Sequence, residues 1–163
     1  MKEILDIFRK AARTEMLILS LIYISACAVL IATFDDPVLI VKGCLFFLFL
    51  TGIAFLDFKT MTIPNLSLIP VAAVGLINFD WTSISGAFIV SVPMLLIAAL
   101  FGHIGGGDIK FLAVTGFVLK PDRTLISALT GFLLFILVHC HQKHQEFPYA
   151  PCLSVGCFLA FLL

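Results

Sequence analysis

Charge is what this sequence has least of. Only 12% of its 163 residues are Asp, Glu, Lys or Arg, and ten basic residues balance ten acidic ones. Soluble domains carry about 25% charged residues, so an ordinary water-soluble enzyme is excluded. The absence of net charge removes any general attraction to nucleic acid, and no such partner is expected. CxxC pairs are also missing. Cys27, Cys44, Cys140, Cys152 and Cys157 lie mostly in apolar runs and read as small buried hydrophobes, not as a disulfide or zinc framework. No metal or other cofactor is expected. Internal repeats and low-complexity tracts are absent as well.

What remains is apolar: 61% of the residues are hydrophobic and the mean hydropathy is +1.17. The apolar runs are 16–34, 38–56, 63–79, 84–101, 109–119, 124–140 and 150–163. A spanning helix needs about 20 residues, so these runs imply an all-α, polytopic membrane protein with about six to seven transmembrane helices. The fifth and last runs are short for full spans. No room remains for a separate soluble domain, and residues 1–163 read as one membrane domain.

Loop charges orient the chain. With the N-terminus in the cytoplasm, Lys2, Arg9, Lys10, Arg13, Lys59, Lys110 and Lys143 face inward, against Lys42, Lys120 and Arg123 outside. That asymmetry follows the positive-inside rule. Trp81 falls in an outer break and Tyr149 in an inner one, where interfacial aromatics lie. Residues 1–15 place Ile4, Ile7, Phe8 and Ala11 at helical spacing opposite Lys2, Arg9, Lys10 and Arg13. They read as an amphipathic helix on the cytoplasmic membrane face or as a solvated lead-in to the first span. Ile24-Ser25-Ala26-Cys27 has the form of a lipoprotein cleavage box. The sequence after it stays apolar and the segment before it is partly acidic, which argues against cleavage.

Ionisable groups at apolar boundaries are costly and point to function. Asp57 closes the second run and Asp108 opens the fifth. Two spans separate them, so both fall at the same membrane boundary. Two carboxylates brought together can share one proton: the ionised member activates water and the protonated member donates to a peptide carbonyl. The pair titrates as a unit, which leaves acid and base unassigned. Gly105, Gly106 and Gly107 allow positive φ and close approach of a substrate strand beside Asp108. An equally available reading makes Asp108 the N-cap of a helix after a flexible loop.

Ile63-Pro64-Asn65 follows Asp57 and reads first as a helix start, with Asn65 able to bond loop backbone and steady the Asp57 segment. Lys59 and Lys110 each stand two residues after an aspartate. Lys59 is favoured as a snorkelling interfacial residue, and Lys110 is open between that role and charge pairing. His139, His141 and His144 gather around Cys140, but their spacing matches no strong zinc pattern, and a polar loop is favoured. His103 lies near the glycines without a distinguishing feature.

Taken together, these residues resemble the type IV prepilin peptidases, membrane aspartyl proteases of the GxGD class. Three features carry the likeness over about 38–163: Asp57 with Ile63-Pro64-Asn65; Gly105-Gly106-Gly107-Asp108-Ile109-Lys110; and Phe147-Pro148-Tyr149-Ala150-Pro151 with Gly156. The resemblance implies that Asp57 and Asp108 are catalytic, and that Gly105, Gly106, Gly107, Lys110, Pro64 and Asn65 contact substrate. It implies a substrate with a basic leader and a hydrophobic helix: a type IV pilin, pseudopilin or flagellin-like precursor. The leader would be removed at the cytoplasmic face of the inner membrane. The larger bacterial members also N-methylate the new terminus and carry paired CxxC motifs. Lacking CxxC, this chain resembles the short stand-alone peptidases, and methyl transfer is not expected. Two other readings are an intramembrane GxGD protease with a different substrate and a non-catalytic pilus-assembly or transport protein. Asp36, Asp80 and Asp122 lie in outer breaks and make no continuous acidic path.

Overall fold

The computed structural model describes residues 13–101, 105–141 and 148–163, and every regular element among them is an α-helix. The elements are α1 (Arg13–Thr33), α2 (Pro37–Thr60), α3 (Asn65–Gly75), α4 (Trp81–Ile89), α5 (Ser91–Phe101), α6 (Gly106–His141) and α7 (Tyr149–Leu162). Four stretches are long and apolar enough to cross a membrane: Arg13–Thr33, Pro37–Thr60, Trp81–Leu100 and Gly106–Val138. Asn65–Gly75 and Tyr149–Leu162 are shorter apolar helices. The protein is an all-helical membrane protein. Most of the segment expected to form the amphipathic helix, 1–12, lies outside the described residues. So do His103, His144 and Phe147, and the side chains of His139, Cys140 and His141.

The seven apolar runs are all helical, with shifted ends. Asp36 caps α2 through a bond from the Val38 N–H at 3.0 Å, and Pro37 takes the first turn, where its missing donor costs nothing. The same helix runs past the end of the second apolar run to Thr60. There Met61, at φ 52, donates its N–H to the Asp57 carbonyl at 2.8 Å, a left-handed cap that ends the helix. Asp57 therefore occupies the last turn of a long helix.

Within α6 the chain reverses. Lys120 has φ 68 and ψ 168, and the Thr124 hydroxyl reaches the Gly116 carbonyl at 3.4 Å. In a straight helix residues that far apart would be separated by about 12 Å. The element is thus two limbs, 106–119 and 121–141, folded back at Lys120, with Pro121 opening the second. This agrees with the separate fifth and sixth apolar runs.

Small residues let the helices close. A Cβ on Gly86 would lie 2.4 Å from the Gly116 carbonyl oxygen, which fixes α4 against the first limb of α6. A Cβ on Gly156 would lie 2.5 Å from the Ser127 carbonyl oxygen and 2.8 Å from the Gly131 amide, so α7 and the second limb meet backbone to backbone. Phe34, Phe46, Phe47, Phe158 and Phe161 interlock between α2 and α7. By contrast α1 buries only Leu30. Cys27, Cys44, Cys152 and Cys157 are free thiols, and Cys157 is fully buried beside the Ser127 hydroxyl.

These contacts sort the helix ends. Lys59 pairs with Glu15 at 2.5 Å, Lys110 with Asn65, and Ala150 with Asp57. The start of α1, the end of α2 and the starts of α3, α6 and α7 therefore share one end of the bundle. Lys120 pairs with Asp80 and Phe34 with Phe161 at the other.

Candidate active site

At the shared end a cavity of about 620 Å³ lies among the C-terminus of α2 and the N-termini of α3, α6 and α7. Asp57 and Asp108 both line it. They are close enough for their charges to act on one another. Asp57 is 5% exposed and Asp108 is half-buried.

Each carboxylate is placed by local chemistry. The Asp57 backbone carbonyl is held by the left-handed cap at Met61, and its side-chain Oδ2 accepts the Ala150 N–H at 3.0 Å. Ala150 belongs to the first turn of α7, where helix donors have no partner within the helix. Pro148 occupies the N-cap position without a side-chain hydrogen bond, and Pro151 has no N–H to give. Asp57 thus supplies from another helix the acceptor that the α7 terminus lacks.

Asp108 is not an N-cap. Its helix begins at Gly106, and Asp108 occupies the first turn with its N–H bonded to the Gly105 carbonyl at 3.1 Å. An acidic group there is favoured by the helix dipole. The glycines serve space, not positive φ: none of the three uses the left-handed region. A Cβ on Gly105 would come within 3.0 Å of Asp108 Oδ2, and one on Gly107 would touch Ile63 at 3.4 Å, while Gly106 faces open space.

The expected partner of Asn65 also differs. Its Oδ1 accepts from Lys110 Nζ at 3.0 Å, not from loop backbone. This bond ties the start of α3 to the start of α6, and both residues line the cavity. Lys59 turns away to Glu15, as an interfacial lysine would. Pro64 is the N-cap of α3 and does not line the cavity.

Met61, Thr62, Ile63, Phe135, Pro148 and Tyr149 complete the walls and were not among the residues singled out as substrate contacts. The Phe135 and Tyr149 rings meet edge to face at 5.5 Å. Phe135 lies inside an apolar run with no local signal. Only the reversal at Lys120 reveals it, because a fold-back centred there carries 132–135 toward 108. Tyr149 reads as an interfacial aromatic from sequence and here forms a wall.

Comparisons with known proteins identify the family. Residues 44–140 match the model of the type IV leader peptidase family. A prepilin leader peptidase/N-methyltransferase from Bacillus subtilis (strain 168) is 37% identical over 126 residues, covering 68% of this chain and 50% of that protein. The chain thus spans about half the length of the curated relative it matches. No solved structure matches it. With more than half of its residues matched by the family model, the chain belongs to the type IV leader peptidase family.

Proposed function

We propose that the protein is an aspartic endopeptidase that removes the leader of type IV prepilin-like precursors at the cytoplasmic membrane face. The observation that carries this reading is the meeting of Asp57 and Asp108, from separate helices, in one open cavity at the end of an apolar bundle. Both aspartates lie in the stretch matched by the family model.

The chemistry needs one proton shared between the two carboxylates. The ionised carboxylate takes a proton from water as the oxygen attacks the peptide carbon. The protonated one donates to the carbonyl oxygen, giving a tetrahedral diol; the carboxyl that took the water proton then passes it to the amine nitrogen as the C–N bond breaks, and the other recovers a proton from the diol. The Ala150 N–H immobilises Oδ2 of Asp57, which leaves Oδ1 for water or for the shared proton. The exposed Gly105 and Gly106 backbone beside Asp108 offers room for an extended peptide. The substrate's hydrophobic helix would stay in the bilayer while its basic leader reaches the cavity.

The test is cleavage of a purified prepilin in detergent by wild type and Asp108→Ala, with product termini sequenced. Cutting at the leader boundary by wild type alone supports the proposal. Cutting within the hydrophobic helix would instead favour an intramembrane protease.

A further inference from the structure

A groove of about 670 Å³ runs along the bundle between α1, α2 and α7. It starts at the end that holds the aspartates, at Glu15, Lys59 and Pro151, and reaches Val29, Phe47 and Phe158. From Glu15 to Val29 it follows α1 for about 21 Å, the rise of about 14 helical residues and roughly two thirds of a 30 Å hydrocarbon core. Its rim is apolar and open: Ile18, Ile22, Phe58 and Val155 line it and are each about half exposed. The outlying wall is α1, which is fastened at both ends. Glu15 pairs with Lys59 at one, and at the other a Cβ on Gly43 would lie 3.0 Å from a Leu30 methyl.

Midway along, the groove is lined by the small side chains of Ser25, Ala26, Thr51, Ala54 and Ser154. The three hydroxyls donate to carbonyls of their own helices, Ser25 to Ile22, Thr51 to Phe47 and Ser154 to Ala150, each at 2.8 Å. Their donors are satisfied, and side chains of this size let another helix come close in a bilayer. The groove also adjoins the catalytic cavity along two helices. On α2, Asp57 lines the cavity while Phe58 and Lys59 line the groove. At the start of α7, Pro148 and Tyr149 line the cavity and Pro151 lines the groove. A chain leaving the groove at this end meets the Asp57–Ala150 edge of the cavity.

We infer that this groove receives the hydrophobic helix of the precursor, with the helix N-terminus toward Glu15, so that the leader is delivered to the two aspartates. The inference rests on the proposed function and adds to it where the enzyme holds the part of the substrate that is not cut. A helix satisfies its own backbone and can lie in an apolar groove within the bilayer. The leader precedes the helix, so the helix must point its N-terminus at the aspartates. Its unpaired N–H groups and positive dipole end then face Glu15, the acidic residue on the groove wall.

The experiment uses the full chain in detergent and a precursor that wild type cuts. Benzoylphenylalanine is placed at Val155 in the groove, or at Ile69, which is exposed on α3 outside it. With Asp108→Asn keeping the precursor whole, light should crosslink its hydrophobic helix from Val155 and not from Ile69. Separately, Ser25→Phe fills the groove and should raise KM about 10-fold with kcat within about twofold, whereas Ile69→Phe should change neither. Equal crosslinking from the two positions would overturn the inference. So would a Val155 crosslink only to lipid or to a second copy of the chain, or an unchanged KM in folded Ser25→Phe. In each of these cases cleavage by wild type leaves the proposed function standing. Failure of wild type to cut any precursor would instead remove that reading, and the inference with it.

Discussion

The backbone N–H of Ala150 donates to Oδ2 of Asp57 at 3.0 Å, across 93 positions of sequence. One bond thereby joins the last turn of α2 to the first turn of α7. It also explains a local pattern, Pro148-Tyr149-Ala150-Pro151, in which both flanking prolines lack an N–H. Proline is tolerated in the first helical turn, so Ala150→Pro removes this donor while keeping α7 helical; because Ala150 is fully buried, its Tm is measured beside its rate. We expect it to lower kcat about 10-fold with KM nearly unchanged, since it frees a group that acts on the reacting atoms. Ala150→Ser keeps the amide and should behave as wild type. A Pro variant with full kcat would show that the bond does not position Asp57.

Replacing either carboxylate tests the core of the mechanism. Asp57→Asn and Asp108→Asn preserve shape and remove the shared proton. Each should lower cleavage by at least about 10²–10⁴-fold, the range for a positioned acid or base. Circular dichroism and the Tm in detergent should stay near wild type. Activity within 10-fold of wild type in a folded Asn variant would exclude the two-carboxylate mechanism.

The three glycines before Asp108 are not equivalent. A methyl group at Gly105 would press on Asp108 Oδ2 at 3.0 Å, whereas one at Gly106 meets nothing within 4 Å. Gly105→Ala should therefore reduce cleavage about 10-fold by turning the Asp108 carboxyl, and Gly106→Ala should stay within about twofold. Side-by-side rates for the two variants decide this. Equal losses would mean that backbone freedom, not space beside the carboxylate, is what the glycines provide.

The helical membrane architecture was legible because apolar runs dominate the sequence, and Asp57 and Asp108 were legible because ionisable groups are rare at such boundaries. Helix ends were less so. Nothing in the second apolar run says that α2 continues through Asp57 to Thr60, because the left-handed cap at Met61 depends on tertiary packing. Asp108 reads as an N-cap from composition, yet α6 starts two residues earlier. The Asn65–Lys110 bond, the Ala150–Asp57 bond and the Phe135 wall are long-range relations. They depend on the reversal at Lys120 and on close helix contacts at Gly131 and Gly156, and no local spacing encodes them.

Asn65 and Lys110 should act as one unit. Their 3.0 Å bond ties the starts of α3 and α6 at the rim of the cavity, and both residues are exposed. An exposed charge-assisted bond is worth about 1 kcal/mol or less. Asn65→Ala and Lys110→Met should therefore each leave the Tm nearly unchanged. If their function is to hold the rim, each lowers kcat/KM by roughly 3- to 10-fold, about 1 kcal/mol of transition-state stabilisation. The double variant should then be no worse than the weaker single, because one interaction can be lost only once. Losses that multiply would mean that the two residues contact the substrate separately.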